Sequence, residues 1–289
     1  MRAAYPDLSG HVIRDGVALG YEVFGDGDPT VLLMPTWTLV HSRFWKMQVA
    51  YLARHFRVIT YDGPGNGRSD RVTDPARYDL SSYVADAVAV LDACGAERAV
   101  VAGLSLGAAY SVGLAAFHPD RVLGLVLIGP SLPLVPPLPE RAAHLEARFE
   151  PHVPNPDGWE KYNVSYWHEN YRDFAEFFFS RCFGEPHSTK PIEDCVGWAL
   201  ETTPDVLEAE ARKPLWPGDP AELVAGVGCP VLVIHGTDDR VQPFATAVEA
   251  ARLGEGTLLA MEGSGHIPNV RDPVTVNLAM RAFIERLVA

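Results

Sequence analysis

The amino-acid sequence predicts an α/β protein with a mostly parallel central sheet that helices flank on both faces. Short apolar runs rich in β-branched residues, as expected of buried strands, alternate with helix-compatible segments as far as Ile128. The same alternation resumes at Pro230 and continues towards the end of the chain. Strands that alternate with helices favour parallel pairing, because each crossover helix then covers one face of the sheet.

The first half of the chain accounts for most of the predicted sheet. A two-residue Asp15-Gly16 turn joins His11–Arg14 to Val17–Phe24, which indicates a β-hairpin. Further strands are expected at Val31–Met34, Phe56–Asp62, Ala99–Ala102 and Val122–Ile128. Helices are expected between them, at Phe44–His55, Ser81–Ala93 and Ala108–His118. After Pro230 we expect a strand to Ile234, a helix at Phe244–Leu253, a strand at Thr257–Met261 and a terminal helix that Asp272-Pro273 begins.

Residues 103–107 read Gly-Leu-Ser-Leu-Gly and stand between a predicted strand and a predicted helix. The G-x-S-x-G pattern in this context indicates a sharp turn that lifts the Ser105 hydroxyl clear of the sheet. Gly103 and Gly107 are needed there, because neighbouring chain passes too close for a Cβ. We interpret Ser105 as a candidate nucleophile; the alternative is a tight turn without a chemical role.

A serine hydroxyl is a poor nucleophile unless a base lies within hydrogen-bond reach and an acid orients that base. Asp238 and Asp239 follow one of the later strands, and His266 follows the last strand. The carboxyl ends of parallel strands lie on one rim of a sheet, so these groups are expected near Ser105. His235 stands at a strand end, and we expect it to be structural because His266 already fills the role of base.

Four ordered motifs resemble those of the α/β-hydrolase fold superfamily, and the resemblance covers essentially the whole chain. The motifs are Asp62-Gly63-Pro64-Gly65-Asn66-Gly67-Arg68-Ser69, Gly103–Gly107, Gly236-x-x-Asp239-x-x-x-Pro243 and Gly265-His266. The resemblance implies a catalytic triad of Ser105, Asp239 and His266. Asp239 is preferred to Asp238 because the acid in this family is commonly the third residue after the glycine.

The resemblance also implies an oxyanion hole formed by two backbone N–H groups. One is that of Leu106, the residue after the nucleophile, and the other is that of Trp37 in the loop after the third strand. This loop reads Pro35-Thr36-Trp37 where the family usually has His-Gly, so Trp37 is assigned by its position. Whether the Thr36 hydroxyl contributes a third contact is left open.

A helical, aromatic segment separates the two halves of the predicted sheet. It begins after a proline-rich stretch and is too long for a plain loop. We interpret residues 134–228 as a helical cap domain inserted into an α/β-hydrolase core of residues 1–133 and 229–289. Aromatic residues mainly bury area, so those of the cap are expected to form its own core more often than to contact substrate.

The bulk composition narrows the class of partner. A formal net charge of −13 disfavours nucleic acid and anionic membranes, and no stretch approaches the ~18 apolar residues of a membrane span. We expect no signal peptide, and we expect free thiols in a reducing cytoplasm because the four cysteines are far apart. The sequence contains neither metal-ligand spacing nor a dinucleotide fingerprint, so no cofactor is expected. The oligomeric state is expected to be monomer or homodimer.

These observations favour a cofactor-free serine hydrolase that cleaves an acyl bond, most simply a carboxylic ester of a small, uncharged, hydrophobic substrate. A thioesterase, a lactonase, a C–C bond hydrolase or a cofactor-free haloperoxidase would use the same triad. Serine at the elbow disfavours haloalkane dehalogenases and epoxide hydrolases, relatives that use Asp there. A ligand sensor with slow or no turnover is the alternative outside enzymes.

Overall fold

A computed structural model of the protein describes residues 4–288 and contains one eight-stranded sheet. Met1–Ala3 and Ala289, which the predicted core ranges include, lie outside the described residues. The strands are β1 (Leu8–Arg14), β2 (Val17–Phe24), β3 (Thr30–Leu33), β4 (Arg57–Tyr61), β5 (Ala99–Leu104), β6 (Val122–Ile128), β7 (Val231–Gly236) and β8 (Thr257–Met261). Their order is β1-β2-β4-β3-β5-β6-β7-β8. The β1–β2 and β2–β4 pairs are antiparallel and the other pairs are parallel, which confirms the predicted fold class.

Three helices lie among the first six strands: α1 (Lys46–Leu52), α2 (Leu80–Ala93) and α3 (Leu106–Phe117). Five lie between β6 and β7: α4 (Pro139–Glu146), α5 (Val164–Cys182), α6 (Thr189–Ala199), α7 (Pro204–Arg212) and α8 (Pro220–Ala225). After β7 come α9 (Phe244–Leu253), α10 (Pro268–Arg271) and α11 (Pro273–Leu287). The Asp272 carboxylate accepts hydrogen bonds from the Thr275 N–H and hydroxyl, so the predicted start of the last helix is confirmed.

The predicted helix Phe44–His55 is wrong at both of its ends. The structure has a 3₁₀ turn at Ser42–Trp45, and α1 then runs only as far as Leu52. Tertiary contacts set this turn: the Trp45 indole N–H donates to the Met34 carbonyl at 2.8 Å, and the Ser42 N–H donates to the Asp62 carboxylate at 2.8 Å. A local periodicity carries no information about such distant partners.

Residues 134–228, here called the cap segment, are helical as predicted, and three of their side chains are hydrogen-bonded to loops that follow strands of the sheet. Its longest helix, α5, is bent at Asn170, which has non-helical φ and ψ of −140° and 48°. Trp167 and Phe174 are fully buried and pack on each other with ring centroids 5.1 Å apart. The last helix, α8, packs against α3 and α9 of the sheet region. The division of the chain into a core and a cap domain at residues 133/134 and 228/229 stays a prediction.

The structure also bears on the expectations for cysteines, membrane spans and metal sites. Cys94, Cys182, Cys195 and Cys229 are free thiols. No helix within residues 4–288 is both long enough and apolar enough to cross a membrane. Over the same residues, no three His, Cys, Asp or Glu side chains are grouped so that they could hold a metal ion.

The turn between β5 and α3 is too tight for side chains on either side of Ser105. A Cβ on Gly103 would lie 2.1 Å from the Gly107 carbonyl oxygen, and a Cβ on Gly107 would lie 2.3 Å from the Pro35 carbonyl oxygen. Ser105 itself has φ of 56° and ψ of −116°, a conformation that L-residues rarely adopt. The predicted elbow geometry is therefore present, and the backbone strain is concentrated on the one residue expected to react.

Replacement of Gly103 by Ala should test this constraint. We expect Gly103→Ala to lower the free energy of unfolding by about 3 kcal/mol or more, because backbone atoms must move to admit the methyl group. Guanidinium denaturation measures the change. Gly197→Ala is the matched control: Gly197 lies in α6, and a Cβ added to it would meet nothing within 4 Å, so this change should stabilise by about 0.5–1 kcal/mol. Equal stability of the two variants would contradict the close approach.

Candidate active site

The three residues of the candidate triad lie on one rim of the sheet, each just beyond the carboxyl end of a strand. Ser105 follows β5, Asp239 follows β7 and His266 follows β8. His266 Nδ1 lies 2.7 Å from Asp239 Oδ2. Ser105 and His266 both line a small apolar cavity of about 40 Å³. The structure thus brings the predicted base, acid and nucleophile together from three distant parts of the chain.

The Asp239 carboxylate is buried and hydrogen-bonded at both oxygens. Oδ1 accepts from the Val241 N–H at 2.7 Å and from the Gln242 N–H at 2.9 Å. Oδ2 accepts from His266 and lies 3.0 Å from His235 Nε2. Burial by itself would raise the pKa of Asp239, but the two histidines and their hydrogen bonds outweigh it and hold the pKa below its usual range. Asp239 is therefore ionised at neutral pH.

The two adjacent aspartates differ in burial, and His235 lies beside the buried one. Asp238 is exposed, whereas Asp239 is buried against His266. His235 is fully buried, and its Nε2 lies 3.0 Å from Asp239 Oδ2 and donates to the Gln242 carbonyl oxygen at 3.4 Å. Its Nδ1 is buried without a hydrogen-bond partner. The sequence predicted a structural histidine here, but nothing in the sequence indicated that it would lie beside the candidate triad acid.

The predicted oxyanion donors, Trp37 and Leu106, both line a larger cavity that Ser105 also lines. Leu106 is the first residue of α3, so its N–H has no carbonyl one turn earlier in the helix to bond. Within residues 4–288, neither the Trp37 N–H nor the Leu106 N–H donates to a protein acceptor. Two amide donors beside the candidate nucleophile are what the negative oxygen of an acyl-transfer intermediate requires.

The Thr36 hydroxyl does not supply the third oxyanion contact that the sequence left open. Its oxygen lies 2.8 Å from the Leu104 carbonyl oxygen, in a buried hydrogen bond. The hydroxyl has a single hydrogen, and the Leu104 carbonyl accepts it. Thr36 instead ties the loop before Trp37 to the end of β5, next to the elbow.

The Asp62–Ser69 turn is hydrogen-bonded to the loop that carries Trp37. The Asp62 carboxylate accepts from the Ser42 N–H at 2.8 Å and from the Arg68 N–H at 2.9 Å. Asn66 Nδ2 donates to the Thr38 carbonyl at 2.8 Å. The turn therefore holds the loop that carries Trp37 from one side.

Three charged residues of the cap segment each contact a different loop that carries a predicted site residue. Glu210 accepts from Thr38, next to Trp37. Glu185 accepts from the Ser264 hydroxyl and the Gly265 N–H, next to His266, at 2.9 and 2.8 Å. Arg141 Nη1 donates to the Val241 carbonyl, two residues after Asp239, at 2.7 Å. The sequence indicated none of these three residues, because none belongs to a motif and each partner is far away in the chain.

Glu210 has the most extensive of these contacts. Its Oε2 accepts from the Thr38 hydroxyl at 2.7 Å and the Thr38 N–H at 3.2 Å, and its Oε1 accepts from the Tyr83 and Tyr110 hydroxyls at 2.8 and 3.2 Å. Burial raises the pKa of the Glu210 carboxyl, and these hydrogen bonds offset part of the shift. Burial also raises the pKa of both tyrosines, so they remain neutral donors. The carboxyl group thus joins α7 of the cap segment to α2, α3 and the Trp37 loop.

The larger cavity beside Ser105 measures about 440 Å³, a size suited to a small organic molecule. Trp37, Ser105 and Phe178 line both cavities, so the small and the large cavity meet at the candidate nucleophile. Aromatic and aliphatic side chains dominate the larger cavity, including Leu132, Leu145, Tyr162, Leu215 and Trp216. Most cap aromatics are buried, as expected, but Tyr162 and Phe178 also contact the cavity.

Removal of the Glu210 carboxyl should destabilise the protein strongly. Glu210→Ala leaves two tyrosine hydroxyls and the Thr38 donors without their acceptor, so we expect a loss of about 3 kcal/mol. Glu208→Ala is the matched control on the same helix, because Glu208 pairs with His168 and Arg212 near the surface. It should cost less than about 1 kcal/mol. Denaturant unfolding measures both changes. Equal losses of unfolding free energy in the two variants would show that the buried network stabilises the protein no more than a surface ion pair does.

The comparisons with known proteins agree with this fold. The model of the alpha/beta hydrolase family matches residues 31–278. A bifunctional esterase/perhydrolase of Acinetobacter calcoaceticus is 26% identical over 284 residues, which cover 94% of this chain and 97% of that protein. A non-heme haloperoxidase of Rhodococcus erythropolis is 28% identical over 277 residues, with 94% and 97% covered. The esterase RhEst1 from Rhodococcus sp. ECU1013 superposes with a TM-score of 0.76 at 26% identity, over 96% of this chain and 98% of that one. The chain is thus an enzyme of the alpha/beta hydrolase family.

Proposed function

We propose that the protein is a serine hydrolase that cleaves carboxylic esters of small, largely apolar substrates. The observation that carries the proposal is the buried 2.7 Å contact between His266 and the ionised Asp239, on the same rim as a strained Ser105. The mostly apolar cavity that reaches Ser105 supports a small hydrophobic substrate. Residues 134–228 would then act as the cap domain over this cavity.

In the proposed mechanism, Asp239 fixes the tautomer of His266. An ionised carboxylate only accepts, so His266 Nδ1 carries hydrogen and Nε2 is free to act as base. His266 takes the proton of Ser105 as its oxygen attacks the ester carbonyl carbon. The N–H groups of Trp37 and Leu106 stabilise the negative oxygen that forms.

The tetrahedral intermediate collapses when the ester C–O bond breaks and His266 returns the proton to the departing alcohol. This leaves an acyl group on Ser105. A water molecule then attacks the acyl carbon while His266 again acts as base, and the carboxylic acid is released.

Perhydrolysis is a second candidate activity, which two relatives favour. The Acinetobacter relative is named an esterase/perhydrolase and the Rhodococcus relative a non-heme haloperoxidase. Hydrogen peroxide in place of water would attack the same acyl-Ser105 and release a peracid. Peracid formed from an ester and peroxide, measured against the rate of hydrolysis, discriminates the two. Thioesters, lactones and C–C bonds are further substrates for the same panel, and saturable binding without turnover would support the sensor alternative.

Covalent labelling tests the nucleophile. A fluorophosphonate probe should add one label to the wild type and none to Ser105→Ala, since the base activates only the serine that it faces. Intact-mass spectrometry measures the label. The control Ser81→Ala, at an exposed position of α2, should be labelled as completely as the wild type. Labelling of Ser105→Ala, or its full activity on esters, would refute the proposal.

The two adjacent aspartates provide a test of the acid. We expect Asp239→Asn to lower kcat by about 10³–10⁴-fold, because an amide in place of the carboxylate favours the wrong His266 tautomer. Asp238→Asn, at an exposed carboxylate, should change kcat by less than about twofold. Steady-state hydrolysis of 4-nitrophenyl acetate provides the measurement. A large loss from Asp238→Asn, or a small one from Asp239→Asn, would reassign the acid.

A further inference from the structure

We propose that Arg141 binds a carboxylate of the substrate, so that the substrate carries an anionic group apart from its scissile acyl bond. The inference rests on the proposed hydrolase function and adds a substrate class to it. It also revises the expectation of an uncharged substrate. A largely apolar body with one carboxylate fits the cavity better than a wholly apolar molecule.

Arg141 is a cavity residue whose positive charge has no carboxylate partner in the described chain. It lies on α4 of the cap segment and lines the same cavity as Ser105. Its Nη1 donates to the Val241 carbonyl, and its Nε is buried without a hydrogen-bond partner. Within residues 4–288, no Asp or Glu forms an ion pair with it. A partly desolvated guanidinium with these contacts is a site prepared for an anion.

Two aromatic rings hold this guanidinium in one orientation. Arg141 Cζ lies 5.2 Å from the ring centroid of Trp159 and 5.7 Å from that of Tyr162. Such contacts attract the cation without neutralising it. They also restrict the Arg141 side chain before binding, so that less side-chain entropy is lost when a carboxylate binds. The aromatic pair therefore positions the donors in advance.

The other charged residues of the cavity do not cancel the charge of Arg141. Glu210 is the carboxylate that lines it, and Thr38, Tyr83 and Tyr110 already hydrogen-bond both of its oxygens. Lys213 lies 3.6 Å from Asp79. Arg148, which also lines the cavity, donates to the Leu145 carbonyl and stacks on Phe149. The residues that line the cavity thus include three basic side chains and one carboxyl group in a protein whose formal net charge is −13, and Lys213 among them is paired with Asp79.

A polar pair on the cavity lining can assist Arg141. The Gln242 side-chain amide donates to the Ser131 hydroxyl oxygen at 2.8 Å, and both residues line the cavity. Because the Ser131 oxygen accepts from Gln242, its own hydrogen remains available to an acceptor in the cavity. A carboxylate accepts several hydrogen bonds and suits this combination of a guanidinium and a hydroxyl. An alkyl end would leave these donors unpaired, and a neutral ester would accept from them without the charge that a guanidinium favours.

Paired substrates test the proposal. The first pair, 4-nitrophenyl hydrogen adipate and its methyl ester, places the carboxylate on the acyl side. The second, 4-acetoxybenzoate and 4-acetoxybenzamide, places it on the leaving group. The kcat/KM of each substrate is divided by the rate constant of its alkaline hydrolysis, so that differences in the intrinsic reactivity of the esters are removed. We expect the wild type to favour the anion of at least one pair by about tenfold or more in kcat/KM, chiefly through KM.

Variants of Arg141 show whether it causes that preference. Arg141→Met should reduce the anion-to-neutral ratio to about one, and Arg141→Lys should restore part of it, since an ammonium keeps the charge without the planar fork. Arg172→Met is the matched control: Arg172 is an exposed cap residue near Glu176, and its loss should leave the ratio unchanged. A wild-type ratio near one in both pairs, or the same preference in Arg141→Met, would overturn the proposal.

A binding measurement separates this inference from the proposed function. In the Ser105→Ala background, calorimetry compares 4-phenylbutyrate with 4-phenylbutanamide, which differ in charge and little in shape. We expect the carboxylate to bind at least about tenfold tighter, and we expect a second substitution, Arg141→Met, to abolish the difference. Equal or undetectable binding of the two, or a preference that survives Arg141→Met, would overturn the inference. Arg141-dependent binding without any Ser105 labelling or turnover would instead refute the hydrolase proposal alone.

Discussion

The buried carboxylate of Asp239 is the constraint on which the arrangement of the rim depends. A charge away from water is stable only if its oxygens find donors, and Asp239 accepts three hydrogen bonds and lies beside a fourth nitrogen. Two hydrogen bonds come from backbone N–H groups of its own loop and one from His266 after β8, and the fourth nitrogen is Nε2 of His235 on β7. The pairing of β7 with β8 in parallel register brings these groups into reach. The same contacts that make the charge tolerable hold the imidazole of His266 in place on the rim that also carries Ser105.

The elbow at Ser105 imposes a second requirement, which is steric. Close approach at Gly103 and Gly107 allows the chain to turn directly from β5 into α3, and the strain falls on Ser105. Hydrogen bonds from the Ser105 N–H to the Ile128 carbonyl, and from the Ser131 N–H to the Ser105 carbonyl, hold the turn against β6. The rigid sheet thus stabilises a conformation that an isolated peptide would not keep.

Hydrogen bonds join the cap segment to the rim at three places. Glu210, Glu185 and Arg141 each connect it to a different loop of the rim, so the position of the cap and the geometry of the site are coupled. Arg141 has two kinds of contact at once: it donates to the loop of Asp239 and faces the cavity. A carboxylate bound there would interact with the same side chain that donates to the Asp239 loop. Substrate charge and loop position would then be linked through one guanidinium.

The sequence by itself determined the alternation of strands and helices, the elbow, and the order of the three candidate triad residues. These features depend on local patterns: apolar runs, Gly at positions without room for Cβ, and short motifs at strand ends. The tertiary structure alone decided which partners meet across the chain. It brought His235 to Asp239, committed the Thr36 hydroxyl to Leu104, shortened the helix after Trp45, and placed Glu210 and Arg141 against their loops. Such contacts join residues that are distant in sequence, and their free energy depends on burial and on the geometry of the partners, neither of which local patterns contain.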